Sequence, residues 1–275
     1  MDLYYQGTPK IMGVLNITPD SFSDGGAYLS LDEACRRAEV MLEEGADIID
    51  IGAESTRPHA KKTPEEEELK RILPVIEALH CRFDATISVD TYKPRVMQAA
   101  VEMGAHIIND IYALRQPYAL ETAAALDVPV CLLFMQGELP NMVRNLSQGQ
   151  DIYTEAKAFF DARIKACLDA GIARDKLILD IGFGFGKTVE ENISLIRNLH
   201  VFTDYKLPLL IGVSRKSTIG AVLNQDVDKR LSGGLALSVF SALQGAGLVR
   251  THDVAETKQA LIMLDSVMQI RGKDD

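Results

Sequence analysis

The residues with most chemical potential stand near the C-terminus. Arg250 and His252 follow the apolar run Gly247-Leu248-Val249, and Ser214-Arg215-Lys216-Ser217 ends another such run. Alternate side chains of a strand share a face, so Arg250 and His252 project the same way. A guanidinium beside an imidazole at a strand tip suits an anion. In (β/α)8 barrels the loops after the last two strands often hold a phosphate group. The chain has a formal net charge of −10, so cations gathered at one place point to an anionic small substrate. The same acidic balance argues against general binding to nucleic acid or an anionic membrane, both of which want a basic face.

More polar side chains fall at the ends of apolar runs: Asn16, Glu54-Ser55-Thr56-Arg57, Asp90, Asn109-Asp110, Asp180 and Lys216. A carboxylate or amide buried without a partner costs roughly 1–3 kcal/mol. Its recurrence at matching depth on several strands points to one shared ligand. The plainer alternative is a ring of polar residues that pair with each other.

The elements that must position these residues alternate in a β-then-α order. Eight strands are expected at Lys10–Ile17, Asp47–Gly52, Thr86–Thr91, His106–Ile111, Pro129–Met135, Leu177–Gly182, Pro208–Ser214 and Leu248–Asp253. Several are almost continuously apolar, as strands buried on both faces should be. Ser30-Leu31-Asp32-Glu33 and Thr188-Val189-Glu190-Glu191 fit a helix capping box. Thr63-Pro64-Glu65-Glu66 puts proline at a first helical position, and Gly45, Gly104, Gly171 and Gly245 close helices before strands. This alternation fits a closed eight-strand barrel or an open doubly wound sheet. The count of eight, with no GxGxxG after the first strand, favours an α/β fold of the (β/α)8 TIM-barrel type, as one domain over residues 1–275. Two long loops, Asn16–Ser30 and Gln136–Asp151, follow strand C-termini and are expected to cover the catalytic face.

Cys35, Cys81, Cys131 and Cys167 form no CxxC pair, so reduced thiols in a cytoplasmic protein are expected. The first residues show no basic stretch leading into an apolar one, so no secretory signal is expected.

Seven segments together resemble the bacterial dihydropteroate synthases. They are Met12-Gly13-Val14-Leu15-Asn16-Ile17-Thr18-Pro19-Asp20-Ser21-Phe22-Ser23-Asp24-Gly25-Gly26, Gly52-Ala53-Glu54-Ser55-Thr56-Arg57-Pro58, Ser88-Val89-Asp90-Thr91, Ile107-Ile108-Asn109-Asp110, Leu179-Asp180-Ile181-Gly182-Phe183-Gly184-Phe185-Gly186-Lys187, Ser214-Arg215-Lys216-Ser217 and Arg250-Thr251-His252-Asp253. Each is weakly specific; seven in order over nearly the whole chain are not.

The resemblance implies a transferase of folate biosynthesis, of the class that sulfonamides target. It would join 6-hydroxymethyl-7,8-dihydropterin diphosphate to p-aminobenzoate, releasing pyrophosphate by a dissociative path. It further implies that Asp90, Asn109 and Asp180 hold the pterin, with Lys216 donating to its carbonyl side and Arg250 stacking on the ring. Ile111, Met135, Gly212 and Phe185 would form the walls. Asn16, Thr56, Arg57, Arg250 and His252 would hold the diphosphate, with Mg²⁺ contacted by Asn16. Ser217, Thr56 and Lys216 would hold the benzoate, whose ring would lie among Phe22, Pro58 and Phe185. Asp90, Arg57, Lys216, Arg250 and His252 would carry the catalysis. A homodimer is implied, with the small and apolar residues from Leu235 to Leu243 as a candidate face; shell packing fits that segment almost as well.

There are departures from the family pattern. Phe134 stands where many relatives carry histidine, Ile181 replaces a proline, and Tyr92 replaces a small residue; the last two read as packing changes. Gly182–Thr188 looks like a P-loop, but three residues rather than four separate its first glycine from the Gly-Lys pair. It reads instead as a flexed loop over the pterin. Glu65–Glu68 read as a solvated first turn that favours the helix dipole. His59, His80, His106 and His200 lack zinc spacing; His106 reads as a packed histidine, and for His59, in a loop beside Arg57, a minor substrate role is the weaker alternative. Two weaker readings are a pterin-dependent methyltransferase, against which the cations at Arg57, Arg250 and His252 and the Thr18–Gly26 loop argue, and a non-catalytic pterin binder, against which the intact Asp90, Lys216 and Arg250-Thr251-His252 argue.

Overall fold

The computed structural model describes residues 8–17, 27–55, 62–135, 137 and 151–271. Phe22, Thr56, Arg57, Pro58 and His59, with most of both long loops, lie outside the described residues. Eight parallel strands close into one barrel in sequence order. They are β1 (Lys10–Asn16), β2 (Ile48–Gly52), β3 (Thr86–Asp90), β4 (Ile107–Asp110), β5 (Val130–Leu133), β6 (Leu177–Asp180), β7 (Leu209–Ile211) and β8 (Leu248–Thr251). Around them run α1 (Ala27–Glu43), α2 (Glu65–Arg82), α3 (Pro94–Glu102), α4 (Ala119–Leu126), α5 (Ile152–Asp169), α6 (Val189–Arg197), α7 (Ser217–Leu223), α8 (Leu231–Leu243) and α9 (Val254–Arg271).

Every expected strand is present, and each stops earlier at its C-terminal end than expected, except β2, which ends level at Gly52. The residues just beyond still make single ladder-like bonds, such as Thr91 N to Asn109 O at 3.1 Å and Phe134 N to Asp180 O at 2.8 Å. There the backbone is already turning outward to form the barrel mouth. β8 likewise ends at Thr251, two residues before its expected end.

Helix entry follows the sequence in part. Thr188 and Glu191 form the expected reciprocal capping box at α6. Ser30 does not cap α1, which is already helical from Ala27. Pro64 is the residue before α2 rather than its first. The amide of Thr63 donates to Glu54 Oε2 at 3.2 Å and its hydroxyl to Ala53 O at 3.4 Å, which ties it to the tip of β2.

Two cores result from the period-two alternation of the strands. Outward-facing residues pack with the helices in one continuous cluster. Inward-facing Met12, Ile48, Ile107, Cys131, Ile178, Leu210 and Leu248 fill the barrel bottom as an apolar plug. Two residues further along β2, β4, β6 and β8, the same inward face carries Asp50, Asn109, Asp180 and Arg250. A polar layer therefore sits directly on the plug.

Candidate active site

Arg250 is the centre of that layer. Its Nε donates to Asp50 Oδ2 at 2.6 Å and its terminal nitrogen to Asp90 Oδ2 at 2.8 Å. Burial would weaken the guanidinium's hold on its proton, but Asp50 and Asp90 more than offset this and keep it charged. Asn109 lies beside Asp90 in register, and its Nδ2 donates to Asp50 Oδ2 at 3.1 Å. Asp180 accepts the Gly182 amide at 2.7 Å through Oδ1.

Above this layer Ile111, Tyr112, Leu133, Met135 and Phe185 form a separate apolar cluster, with Tyr92 packed on it. The Lys216 ammonium lies 3.9 Å from the centre of the Phe185 ring. Gly212 leaves room beside Arg250, whose Cβ would be 3.8 Å from a methyl there. Gly182 is required by its conformation: φ is +63°, and a Cβ would come within 2.0 Å of Phe134 O. The structure thus brings Asp90, Asn109, Ile111, Met135, Asp180, Phe185, Gly212, Lys216 and Arg250 to one cup.

Burial sets the protonation states. It pushes Asp90 up to about 7, with Arg250 pulling the other way and Asp50 adding repulsion. Asp180 is raised by burial as well. Burial lowers Lys216 to about 8, helped by Arg250 and opposed by Asp180 and Asp90, so the ammonium is still largely protonated at neutral pH. His252 differs from the sequence reading. Burial first, then Arg250 and Arg215, push it down to about 4, so its imidazole is neutral. The second cation beside Arg250 is therefore Lys216, while His252, with Nδ1 3.0 Å from Ser214 Oγ, offers a polar but uncharged ring.

Asn16 is exposed at the tip of β1, and Ser217 is exposed at the start of α7. Among the described residues no cluster of three His, Cys, Asp or Glu side chains could hold a metal.

Several side chains take other places. Phe134 is buried outside the barrel, its ring 5.2 Å from Phe159 and 6.2 Å from Phe160, so a polar side chain there would not face the cup. Lys187 does not act as a P-loop lysine; it donates to the carbonyls of Phe134, Gly182 and Phe185 at 2.7, 2.9 and 3.1 Å and clips the loop shut. Ile181 is core, as expected, but Tyr92 is more than packing, because its hydroxyl donates to Glu54 Oε1 at 2.9 Å. Glu68 is not solvated with the rest of its turn: it is buried and paired with Lys93. His106 accepts the Ile87 amide at 3.1 Å, a structural role. Asp50 was missed. The signal was available, since it is the one charged residue in Ile48-Ile49-Asp50-Ile51, but it sits mid-strand rather than at the tip.

A closed eight-strand barrel whose mouth joins two carboxylates, an amide, a lysine and an arginine under an apolar rim defines an enzyme for a flat, polar-edged ligand. The comparisons make this specific. The sequence profile described as "Pterin binding enzyme" matches residues 12–252. Dihydropteroate synthase of Escherichia coli K12 is 48% identical over 277 aligned positions, covering 98% of each chain. The structure resembles Yersinia pestis dihydropteroate synthase in complex with a sulfonamide drug, with TM-score 0.90, 46% identity and coverage of 98% and 96% of the two chains. It also resembles the Xanthomonas albilineans enzyme in complex with 7,8-dihydropteroate, with TM-score 0.87, 40% identity and coverage of 98% and 95%.

The chain belongs to the dihydropteroate synthase family of pterin-binding enzymes. It is accordingly a transferase of folate biosynthesis, of a class that binds sulfonamides.

Proposed function

We propose that the cup above the plug binds the pterin ring of 6-hydroxymethyl-7,8-dihydropterin diphosphate and that p-aminobenzoate displaces pyrophosphate at its rim. The observation that carries this reading is the polar layer of Asp90, Asn109, Asp180 and Arg250, set under the Ile111, Met135 and Phe185 walls with Lys216 overhead. Carboxylates and an amide carbonyl accept from the amine and ring N–H groups of a pterin edge. An ammonium donates to its carbonyl, and bonds to charged groups are the stronger kind. The planar Arg250 guanidinium, braced from below by Asp50 and Asp90, suits stacking on the ring.

Departure of pyrophosphate is the demanding step, and in a dissociative path negative charge grows on the leaving oxygens before the arylamine attacks. Arg57, Arg250 and neutral His252 stabilise those oxygens, with Thr56 beside them. Asp90 faces the developing methylene cation. The aniline nitrogen attacks as the neutral amine and needs no covalent enzyme intermediate. Ser217, Thr56 and Lys216 hold the benzoate carboxylate, and Phe22, Pro58 and Phe185 flank its ring. Asn16 offers one exposed amide oxygen, which would hold Mg²⁺ together with substrate oxygens and water. Bound there, the ion would supply neutralisation of phosphate charge.

A homodimer is part of the proposal. Leu231, Phe240 and Leu243 of α8 and Ile262, Met263 and Val267 of α9 are exposed on adjoining helices, an apolar surface suited to a second copy. No described helix is long and apolar enough to cross a membrane. The four cysteines are free, in keeping with the expected cytoplasmic location.

Pyrophosphate release by purified protein, given the dihydropterin diphosphate and p-aminobenzoate with and without Mg²⁺, tests the reading. Release that requires the arylamine and yields dihydropteroate is expected. Pterin retained without release of pyrophosphate would overturn it.

A further inference from the structure

Asp50 is fully buried on β2, and its Oδ2 serves two residues of the cup at once, accepting from Arg250 Nε at 2.6 Å and from Asn109 Nδ2 at 3.1 Å. A carboxylate paired with a guanidinium presents only acceptors. The Asn109 amide must therefore turn its NH2 toward Asp50 and its carbonyl away. An asparagine free to flip reads donors and acceptors equally well; this one cannot. Its Oδ1 is buried without a partner among the described residues, and a buried acceptor without a donor is a destabilising arrangement that a ligand donor relieves.

The order of groups around the mouth says which donor. Asp90, Asn109, Asp180 and Lys216 follow one another on or after β3, β4, β6 and β7. Around a dihydropterin edge the order is ring N8–H, acceptor N1, the 2-amino group, N3–H and the 4-carbonyl. With Lys216 at the carbonyl and Asp90 at the far end, Asn109 meets the N1 and 2-amino corner. One of its two N–H groups is committed to Asp50, so its carbonyl faces the 2-amino group and the remaining N–H can face N1.

We infer that Asp50 is a positioning residue that locks the Asn109 amide and so makes the site select a 2-aminopteridine over its 2-oxo counterpart. The inference rests on the pterin reading of the same cup. Asp50 itself does not touch the ligand; it acts through Asn109, and separately braces Arg250.

The test is a pair of affinities measured by calorimetry on the full chain, for 6-hydroxymethyl-7,8-dihydropterin and for its analogue with a carbonyl in place of the 2-amino group. The parent protein should strongly prefer the amine. In Asp50→Asn the new amide can donate to Asn109 Oδ1, which lets Asn109 turn over and offer its NH2 to a carbonyl. The preference should then fall by about tenfold or more, the worth of one exchanged hydrogen bond. Loss of the Arg250 brace weakens both ligands together and leaves the ratio untouched. Asp50→Glu keeps acceptor-only chemistry and should keep the preference even if both affinities drop. If Asp50→Asn does not fold, the ratio is read on Asp50→Ser, whose hydroxyl can donate to Asn109 in the same way. An unchanged ratio in the variant that folds overturns the assignment of Asp50. A parent protein that binds neither compound overturns the pterin reading instead.

Discussion

Replacing Lys93 by methionine should destabilise the protein in a way that grows with pH. The Lys93 ammonium donates to Glu54 Oε2 at 2.6 Å and to Thr63 O at 2.7 Å, and it also pairs with Glu68 Oε2. The side chains are 13%, 7% and 2% exposed for Lys93, Glu54 and Glu68, so these are buried charges rather than a surface pair. Methionine fills similar space but leaves two carboxylates facing each other without a cation. Breaking a buried pair in this manner costs about 3–5 kcal/mol. For a chain of this size that is a fall in Tm on the order of 10 °C. The sign of the pH dependence follows from Glu68. Burial already raises it above the ordinary carboxylate value while Lys93 holds it down, and without Lys93 it must rise further. A carboxyl raised in the folded state contributes stability that is fully present below its unfolded value, near 4.5, and is lost as pH climbs through the folded value. Urea unfolding at about pH 5.5 and about pH 8 should therefore show the larger deficit at the higher pH. Adding Glu68→Gln to the variant should recover a good part of it. A deficit under about 1 kcal/mol, the worth of an exposed pair, or one equal at both pH values, would refute the argument.

Three further outcomes are expected. Lys216→Met should weaken 6-hydroxymethylpterin binding roughly tenfold or more, the loss of a charge-assisted bond; calorimetry should also show that the parent's affinity falls as pH rises through about 8 while the variant's does not. His252→Ala should slow pyrophosphate release far more than it lowers Tm, and because the parent imidazole titrates at about 4, its loss should remove no limb of the rate profile near neutral pH; equal rates would take His252 out of the diphosphate site. Gly182→Ala, with φ +63° and a new methyl 2.0 Å from Phe134 O, should displace the loop that carries Phe185, lowering both Tm and pterin affinity; a variant with the parent's Tm would show that the turn can shift freely.

The barrel was legible because buried parallel strands announce themselves as short apolar runs between amphipathic segments, and each of the eight runs became a strand. The cup was legible where polarity interrupts a run near its end, as at Asp90, Asn109 and Asp180. Asp50 escaped because position in a run does not report depth: inward side chains lie at different heights on neighbouring strands, so a mid-strand residue of β2 pairs with Asn109 on β4. Ser30 misled because a capping sequence is a local preference, and the helix around it extends further toward the N-terminus. Glu68 misled because a run of four identical residues hides that the fourth turns inward to Lys93. The charge of His252 was beyond sequence altogether, since it depends on three-dimensional burial beside Arg250 and Arg215.

Asn109 and Asp110 show how little separates a binding residue from a supporting one. They are adjacent in β4, both buried and both polar, and the alternation of the strand sends them to opposite faces. Asn109 enters the cup. Asp110 faces the other way and accepts the amides of Tyr112 and Leu114, each at 2.7 Å. Those bonds hold the turn after β4, where Ala113 and Leu114 adopt positive φ, and they fix Tyr112 against the cup's apolar wall. Burial pushes Asp110 up to about 6, against the pull of these two amides. It is thus raised as Asp90 is, although it sits in the scaffold and Asp90 in the cup. A perturbed carboxyl at a strand tip is therefore insufficient to mark a functional residue in this barrel. The discriminating observation is which partners its oxygens already have: Asp110 uses both on its own loop, whereas Asn109 retains a buried acceptor that none of the described residues fills.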